Sequence, residues 1–164
     1  MSENGTPTTS GATPRRYMVL AYQTLDRDEL MQVVQERVTA GPSEFWVVVP
    51  ATPVGDLAPS LPAIPVMGGV PVIQASPEEA RRMAQTKLDA ALEQLKTLGA
   101  PVGGEVGEAD PMRAAKRAME SRQFDEIIVS TLPAHLSRWL HEDLPRRLER
   151  KFHLPVTHVA AVQD

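Results

Sequence analysis

The 164-residue chain contains no cysteine. That excludes a disulfide scaffold, thiolate zinc sites, iron–sulfur clusters and cysteine nucleophiles. Positive charge is not in excess: 17 Lys and Arg against 21 Asp and Glu give a formal net charge of −4, so no basic field reaches out to nucleic acid. Aromatic residues are only 4% of the chain, too few for a platform on which bases stack. No apolar run approaches the ~18 residues of a membrane span. Glycine is scarce in one place: there are 10, none after Gly107. Proline, by contrast, is abundant, with 15 residues where a typical soluble protein has about 5%. The length fits one domain at roughly 100–200 residues each, large enough to hold a core without disulfide or metal.

Residues 1–14 (MSENGTPTTSGATP) carry one charged side chain and almost no apolar surface. They are expected to form a disordered tail. They lack the basic and apolar regions of a signal peptide, so the cytoplasm is the expected location.

From residue 15 to 164 short apolar runs alternate with helical periodicity. Tyr17–Tyr22 reads as the first strand. Asp26 reads as the N-cap of a helix with Glu29 in the capping-box position, and Leu30, Val33, Val34 and Val38 form its apolar stripe. Phe45–Val49 reads as a strand buried on both faces. Ser76-Pro77-Glu78-Glu79 opens the second long helix, with Ala80, Met83, Ala84, Leu88, Ala91, Leu95 and Leu98 inward and Gly99 as its stop. Val102–Val106 is a short strand, and Asp110-Pro111 starts the next helix, with Met112, Ala115 and Met119 on one side. Glu126–Thr131 is another apolar strand. Leu136, Leu140, Leu144, Leu148 and Phe152 make a stripe broken by Pro145, which predicts a helical turn over 136–141 and a new helix capped by Asp143. Thr157–Val162 is the last strand. Five strands alternating with four helices imply right-handed crossovers and a three-layer α/β fold, a doubly wound parallel sheet between helical layers.

Residues 50–76 break this rhythm. The stretch holds seven prolines up to Pro77 and one charge, Asp56, yet many apolar side chains, among them Val54, Leu57, Leu61, Ile64 and Val66. A connection this long is functional or disordered, and its apolar content favours an ordered arm. The arm either covers its own domain, or closes over the mouth of the sheet, or joins a dimer contact.

Three segments carry a resemblance to the universal stress protein family. Val106-Gly107-Glu108-Ala109-Asp110-Pro111 resembles the family's strand-to-helix turn, Phe124–Ser130 its aspartate followed by an apolar strand, and Leu154-Pro155-Val156-Thr157-His158-Val159 its closing strand. The resemblance spans roughly residues 15–163. It implies a five-stranded sheet in the order 3-2-1-4-5 and a homodimer through the last strand. ATP-binding members of the family carry a glycine-rich loop after the fourth strand, where the backbone can approach phosphates. Aligned on spacing, the first glycine becomes Ser130, the second Pro133, and the closing Gly-Ser pair Asp143-Leu144. Pro133 also removes an N–H donor. A carboxylate at Asp143 about 6 Å from a phosphate charge costs roughly 3 kcal/mol at an effective dielectric near 20. The family's nucleoside-contacting aspartate aligns with Gln23. Arg138, Arg146 and Arg147 could neutralise an anion, but they also suit a solvated helix face.

Other motifs weigh less. His135, His141, His153 and His158 match no metal-ligand spacing, and no metal or cofactor is expected. His135 stands in the loop where the family binds ligand and could serve as a general acid or base. Gly103-Gly104-x-x-Gly107 lies on a strand, the wrong context for a nucleotide loop. The run Arg146–Lys151 suits a cationic last turn, and Trp46 and Trp139 suit core packing.

Two readings result. The first is a non-enzymatic module of the branch lacking the glycine-rich motif, acting through dimerisation and an unidentified protein partner, with no nucleic acid and no membrane. The second is a nucleotide (ATP or AMP) or small-anion site rebuilt at the C-terminal ends of the strands, lined by Tyr22, Gln23, Thr24, Ala51, Thr52, Ser130 and Thr131, with His135 above.

Overall fold

Apolar runs flanked by capped helices build a single five-stranded parallel sheet in the order β3-β2-β1-β4-β5. The computed structural model describes residues 13–51, 76–133 and 137–162. Most of the N-terminal segment, the arm, Thr52, His135 and Leu136 lie outside the described residues. The elements are β1 (Arg15–Leu20), α1 (Asp28–Ala40), β2 (Ser43–Pro50), α2 (Pro77–Lys96), β3 (Val102–Gly107), α3 (Pro111–Ser121), β4 (Glu126–Thr131), the single turn α4 (Arg138–His141), α5 (Leu144–Phe152) and β5 (Val156–Ala160). Among the described residues this is the expected doubly wound α/β architecture, with four helices and one extra turn. No helix of the described residues is long and apolar enough to cross a membrane.

Alternation along the central strands feeds two cores. Tyr17, Val19, Phe45, Val47 and Val49 point to one face, under Leu30 and Val34 of α1 and Ala84, Leu88 and Leu95 of α2. Met18, Leu20, Val48, Ile127 and Val129 point to the other, under Ala114, Ala115 and Ala118 of α3 and Leu144 and Leu148 of α5. Trp139 is partly buried and touches both cores.

Two helix starts follow from local chemistry. Ser76 accepts from the Glu79 N–H at 3.2 Å and Asp110 from the Met112 N–H at 2.8 Å, each followed by proline. Both caps sit in extended backbone, as capping requires. The third expected cap fails. Asp26 lies before the helix; Arg27 is the N-cap of α1 and makes no side-chain capping bond. Boundaries shift as well: β1 runs two residues earlier than Tyr17–Tyr22, and β5 ends at Ala160 rather than Val162. Met83 is exposed, whereas small residues, Ala114, Ala115 and Ala118, bury the inner face of α3. Close packing explains them. A Cβ on Gly107 would stand 2.6 Å from Ala114 Cβ, and one on Gly104 2.7 Å from Leu88 Cδ1. These strand glycines let helices approach β3, as their place on a strand suggested.

Candidate functional site

The order of the sheet reverses between β1 and β4, where open α/β sheets hold ligands at the C-terminal strand ends. Of the described residues expected there, Thr24 and Ser130 are directed at one another. The Thr24 and Ser130 hydroxyls are 2.5 Å apart across the switch point. Both side chains are buried. Their bond joins the segment after β1 to β4 at the buried floor of the switch point. Ala51 is buried too, and its N–H donates to the Gly107 carbonyl at 3.1 Å. Thr131 Oγ1 donates to the Leu132 carbonyl at 2.9 Å and lies 2.8 Å from His158 Nε2. With its hydrogen given to Leu132, Thr131 accepts from a protonated Nε2. Partial burial of the ring pushes the His158 pKa down. Gln23 is half-buried at the same edge.

Tyr22 differs from its neighbours. Its side chain is 3% exposed, and among the described residues its hydroxyl has no hydrogen-bond partner. Desolvation raises its pKa. A hollow of about 250 Å³ lies beside it, bordered by Leu25, Asp26, Thr86 and Lys87, and Lys87 Nζ stands 5.7 Å from the ring centre.

The four positions aligned with the lost phosphate loop have structural occupations. Ser130 is engaged with Thr24. Pro133 is half-buried. Leu144 is buried in the second core beside Leu148. Asp143 corrects the sequence reading: it adopts φ 56°, ψ 39° and makes no side-chain capping bond. An N-cap needs extended backbone so that its oxygen can reach the next amides; in the left-handed conformation it does not. Asp143 instead closes α4, its N–H bonding the Leu140 carbonyl at 3.1 Å. Its carboxylate is exposed and leaves the amides of α5 alone. The first turn of that helix is poor in donors for another reason, because Pro145 has no N–H.

A larger hollow, about 620 Å³, opens at the opposite end of the sheet between the starts of β1 and β2 and the end of α3. Three of its charged groups are already engaged: Arg16 meets Glu44 at 3.5 Å, and the Arg122 guanidinium lies 3.4 Å from the Trp46 ring centre. Its arginines are thus committed within the chain, and the switch point carries the better chemistry.

Three contacts were not legible as a site. Glu126 is buried at the start of β4 between Arg37 (3.1 Å) and Arg15 (3.4 Å), with Thr157 donating to it at 3.2 Å. Glu29, read as a capping-box residue, accepts from the Val162 N–H at 2.8 Å and ties the end of the chain to α1. Trp46 Nε1 donates to Glu105 at 3.1 Å. Among the described residues no group of three or more His, Asp and Glu could hold a metal ion.

No family model matches the chain, and no curated protein matches it in sequence. Among solved structures it is similar to a universal stress protein from Archaeoglobus fulgidus. The two share 16% identity and a TM-score of 0.54, over 88% of this chain and 93% of that one. The likeness is one of fold.

Proposed function

We propose that the chain is a module of the universal-stress-protein type that works in the cytoplasm through dimerisation and a protein partner, without catalytic turnover and without holding ATP in the family's usual way. The observation that carries this reading is the Thr24–Ser130 bond, which commits the two buried hydroxyls at the switch point to each other. The burial of Leu144 supports it, because the position aligned with a phosphate-binding hydroxyl is filled by core packing. Thr131 and His158 resemble a nucleophile and base in separation. The Thr131 hydroxyl, however, is buried and committed to a carbonyl, which argues against attack on a substrate. The β5 edge, where His158 and Ala160 are exposed, is the proposed dimer contact.

A second reading, a small-ligand site rebuilt at this mouth, rests on Tyr22. A buried hydroxyl without a partner costs stability, and a nucleotide or small anion reaching the adjoining hollow past Lys87 would satisfy it. Thermal melts of the purified protein with ATP, AMP and cyclic AMP separate the two. A ligand at a hundred times its dissociation constant adds about 2.7 kcal/mol. The module reading expects no shift with any of the three and a dimer in sedimentation; a saturable shift with ATP overturns it.

A further inference from the structure

The two helical layers differ in the charges of their first helical turns. The α1 and α2 layer follows the helix dipole: Asp28 and Glu29 open α1, Glu78 and Glu79 open α2, and Arg37 and Lys96 close them. The α3 and α5 layer does so only in part: Asp110 caps α3, and Arg150 and Lys151 close α5. Neither helix has an acidic residue in its first turn. Arg113 occupies that turn in α3, and Arg146 and Arg147 occupy it in α5, where the positive end of the dipole disfavours cations.

On α5 the conflict is compounded. Arg146 and Arg150, and Arg147 and Lys151, are like-charged pairs at i,i+4, which destabilise a helix. All four side chains are exposed, with Glu149 the one carboxylate among them on this nine-residue helix. On α3, Arg113, Lys116 and Arg117 are exposed against Glu120. Arg117 meets Glu108 at 3.3 Å. Both helices pack on the same face of the sheet, α3 over β2 and β3 and α5 over β5, so this helical layer is basic on a chain of net charge −4. Conflicts of this kind are concentrated among the cations of this surface, although α2 carries a like-charged pair of its own in Asp89 and Glu93, and their concentration marks function rather than folding.

We propose that this layer is the docking surface for an acidic segment of a partner protein. The inference rests on the partner-module reading above and names the partner's chemistry. Arginine dominates the layer, and its planar fork pairs with carboxylates two bonds at a time. The large exposed apolar side chains of the described residues, Met83 and Val162, stand elsewhere, so the layer has no wedge to insert into a bilayer. No exposed aromatic stands on it to stack a base. Glu120 and Glu149 within the stripe repel a continuous phosphate backbone but suit a partner of mixed charge.

The test is binding of a labelled oligoglutamate peptide of about ten residues to the full chain at low and at near-physiological salt, with a DNA duplex of similar charge as a second probe. Saturable peptide binding is expected, weakening with salt. Arg146→Glu with Arg150→Glu weakens it by about tenfold or more, since like charges facing each other exclude a partner. Arg81→Glu with Arg82→Glu, the same charge change on exposed positions of α2, alters it by less than about twofold. Melting curves of both double variants confirm that they are folded. The proposal falls if the wild-type chain does not bind the peptide. It falls equally if the α2 variant loses as much as the α5 variant, or if the duplex binds more tightly than the peptide. Peptide failure alongside a persistent dimer and no ATP shift removes the docking surface and leaves the module reading standing. An ATP shift with peptide binding intact does the reverse.

Discussion

Thr24 and Ser130 lie 106 positions apart in the chain, and their hydroxyls meet at 2.5 Å in the buried floor of the switch point. Each is the other's partner, so removing one leaves a buried polar group unsatisfied. Ser130→Ala is expected to cost about 1–3 kcal/mol in urea denaturation. Thr24→Val with Ser130→Ala removes both hydroxyls and is expected to cost less than the two single changes added together. A double-mutant cycle that sums to zero would show that the pair contributes no coupling.

Glu126 gathers three elements that sequence separates widely. Arg37 of α1, Arg15 of β1 and Thr157 of β5 all bond its carboxylate. The carboxylate is nearly buried while Arg15 is half exposed, so most of the effect runs through Arg37. Glu126→Ala leaves the Arg37 guanidinium facing a cavity and is expected to cost about 2 kcal/mol, read from the denaturation midpoint. Thr157→Val is expected to cost about 1 kcal/mol, as it removes a single donor to that carboxylate.

Two glycines give opposite outcomes with the same substitution. A Cβ on Gly103 would stand 2.5 Å from Trp46 Cζ3, whereas one on Gly41 has nothing within 4 Å. Gly41 is extended, at φ 163°. Gly103→Ala forces the indole off β3 and is expected to destabilise by about 1–3 kcal/mol, with a change in tryptophan fluorescence as the Arg122 and Glu105 contacts shift. Gly41→Ala restricts only the unfolded chain and is expected to stabilise by up to about 1 kcal/mol.

Acid acts on two groups in separate windows. Burial holds the His158 ring below its ordinary value of about 6.5. The unfolded chain therefore takes up this proton first. The stability that the neutral ring contributes is complete above about 6.5 and is lost as the pH falls through the depressed folded value. Glu29 is lowered chiefly by the Val162 N–H. Its contribution is complete above about 4.5 and disappears as the pH falls through its own folded value. The melting temperature is expected to be flat above neutrality and to descend in two steps on acidification. His158→Gln removes the upper step and Glu29→Gln the lower. An unchanged upper step in His158→Gln would assign it to another group.

Much of the fold was legible because its signals are local. Glu126–Thr131 appears as a strand at the expected residues because its apolar run is uninterrupted, and Ser76 and Asp110 cap because a short polar side chain precedes proline. Asp143 looked the same and behaves differently, because the reversal between α4 and α5 fixes its backbone in the left-handed region. That reversal depends on where both helices pack. The site was legible in part: the residues at the strand ends were identified, but their pairing depends on sheet register and on side-chain directions that spacing does not carry. Thr24 and Ser130 were read as lining a ligand site for the same reason. Val162, expected inside the last strand, lies beyond it and is held by a side chain from α1.

The charges of α5 supply a prediction whose sign changes along one helix of nine residues. Arg146 stands in the first turn and Arg150 in the last. Arg146→Glu replaces a cation at the positive end of the dipole. It also turns the repulsive pair with Arg150 into Glu followed by Arg at i,i+4, the favourable orientation. The exposed carboxylates of Glu142 and Asp143 nearby oppose part of this gain. The net expectation is a stabilisation of about 0.5 kcal/mol, or roughly 2 °C in melting temperature for a domain of this size. Arg150→Glu makes the same change in charge and also relieves the pair, but it places an anion at the negative end of the dipole. It is expected to lower the melting temperature or leave it unchanged. Both effects shrink in high salt, because the groups are exposed and screened. Equal shifts of the same sign in the two variants would show that net charge, rather than position along α5, sets its stability.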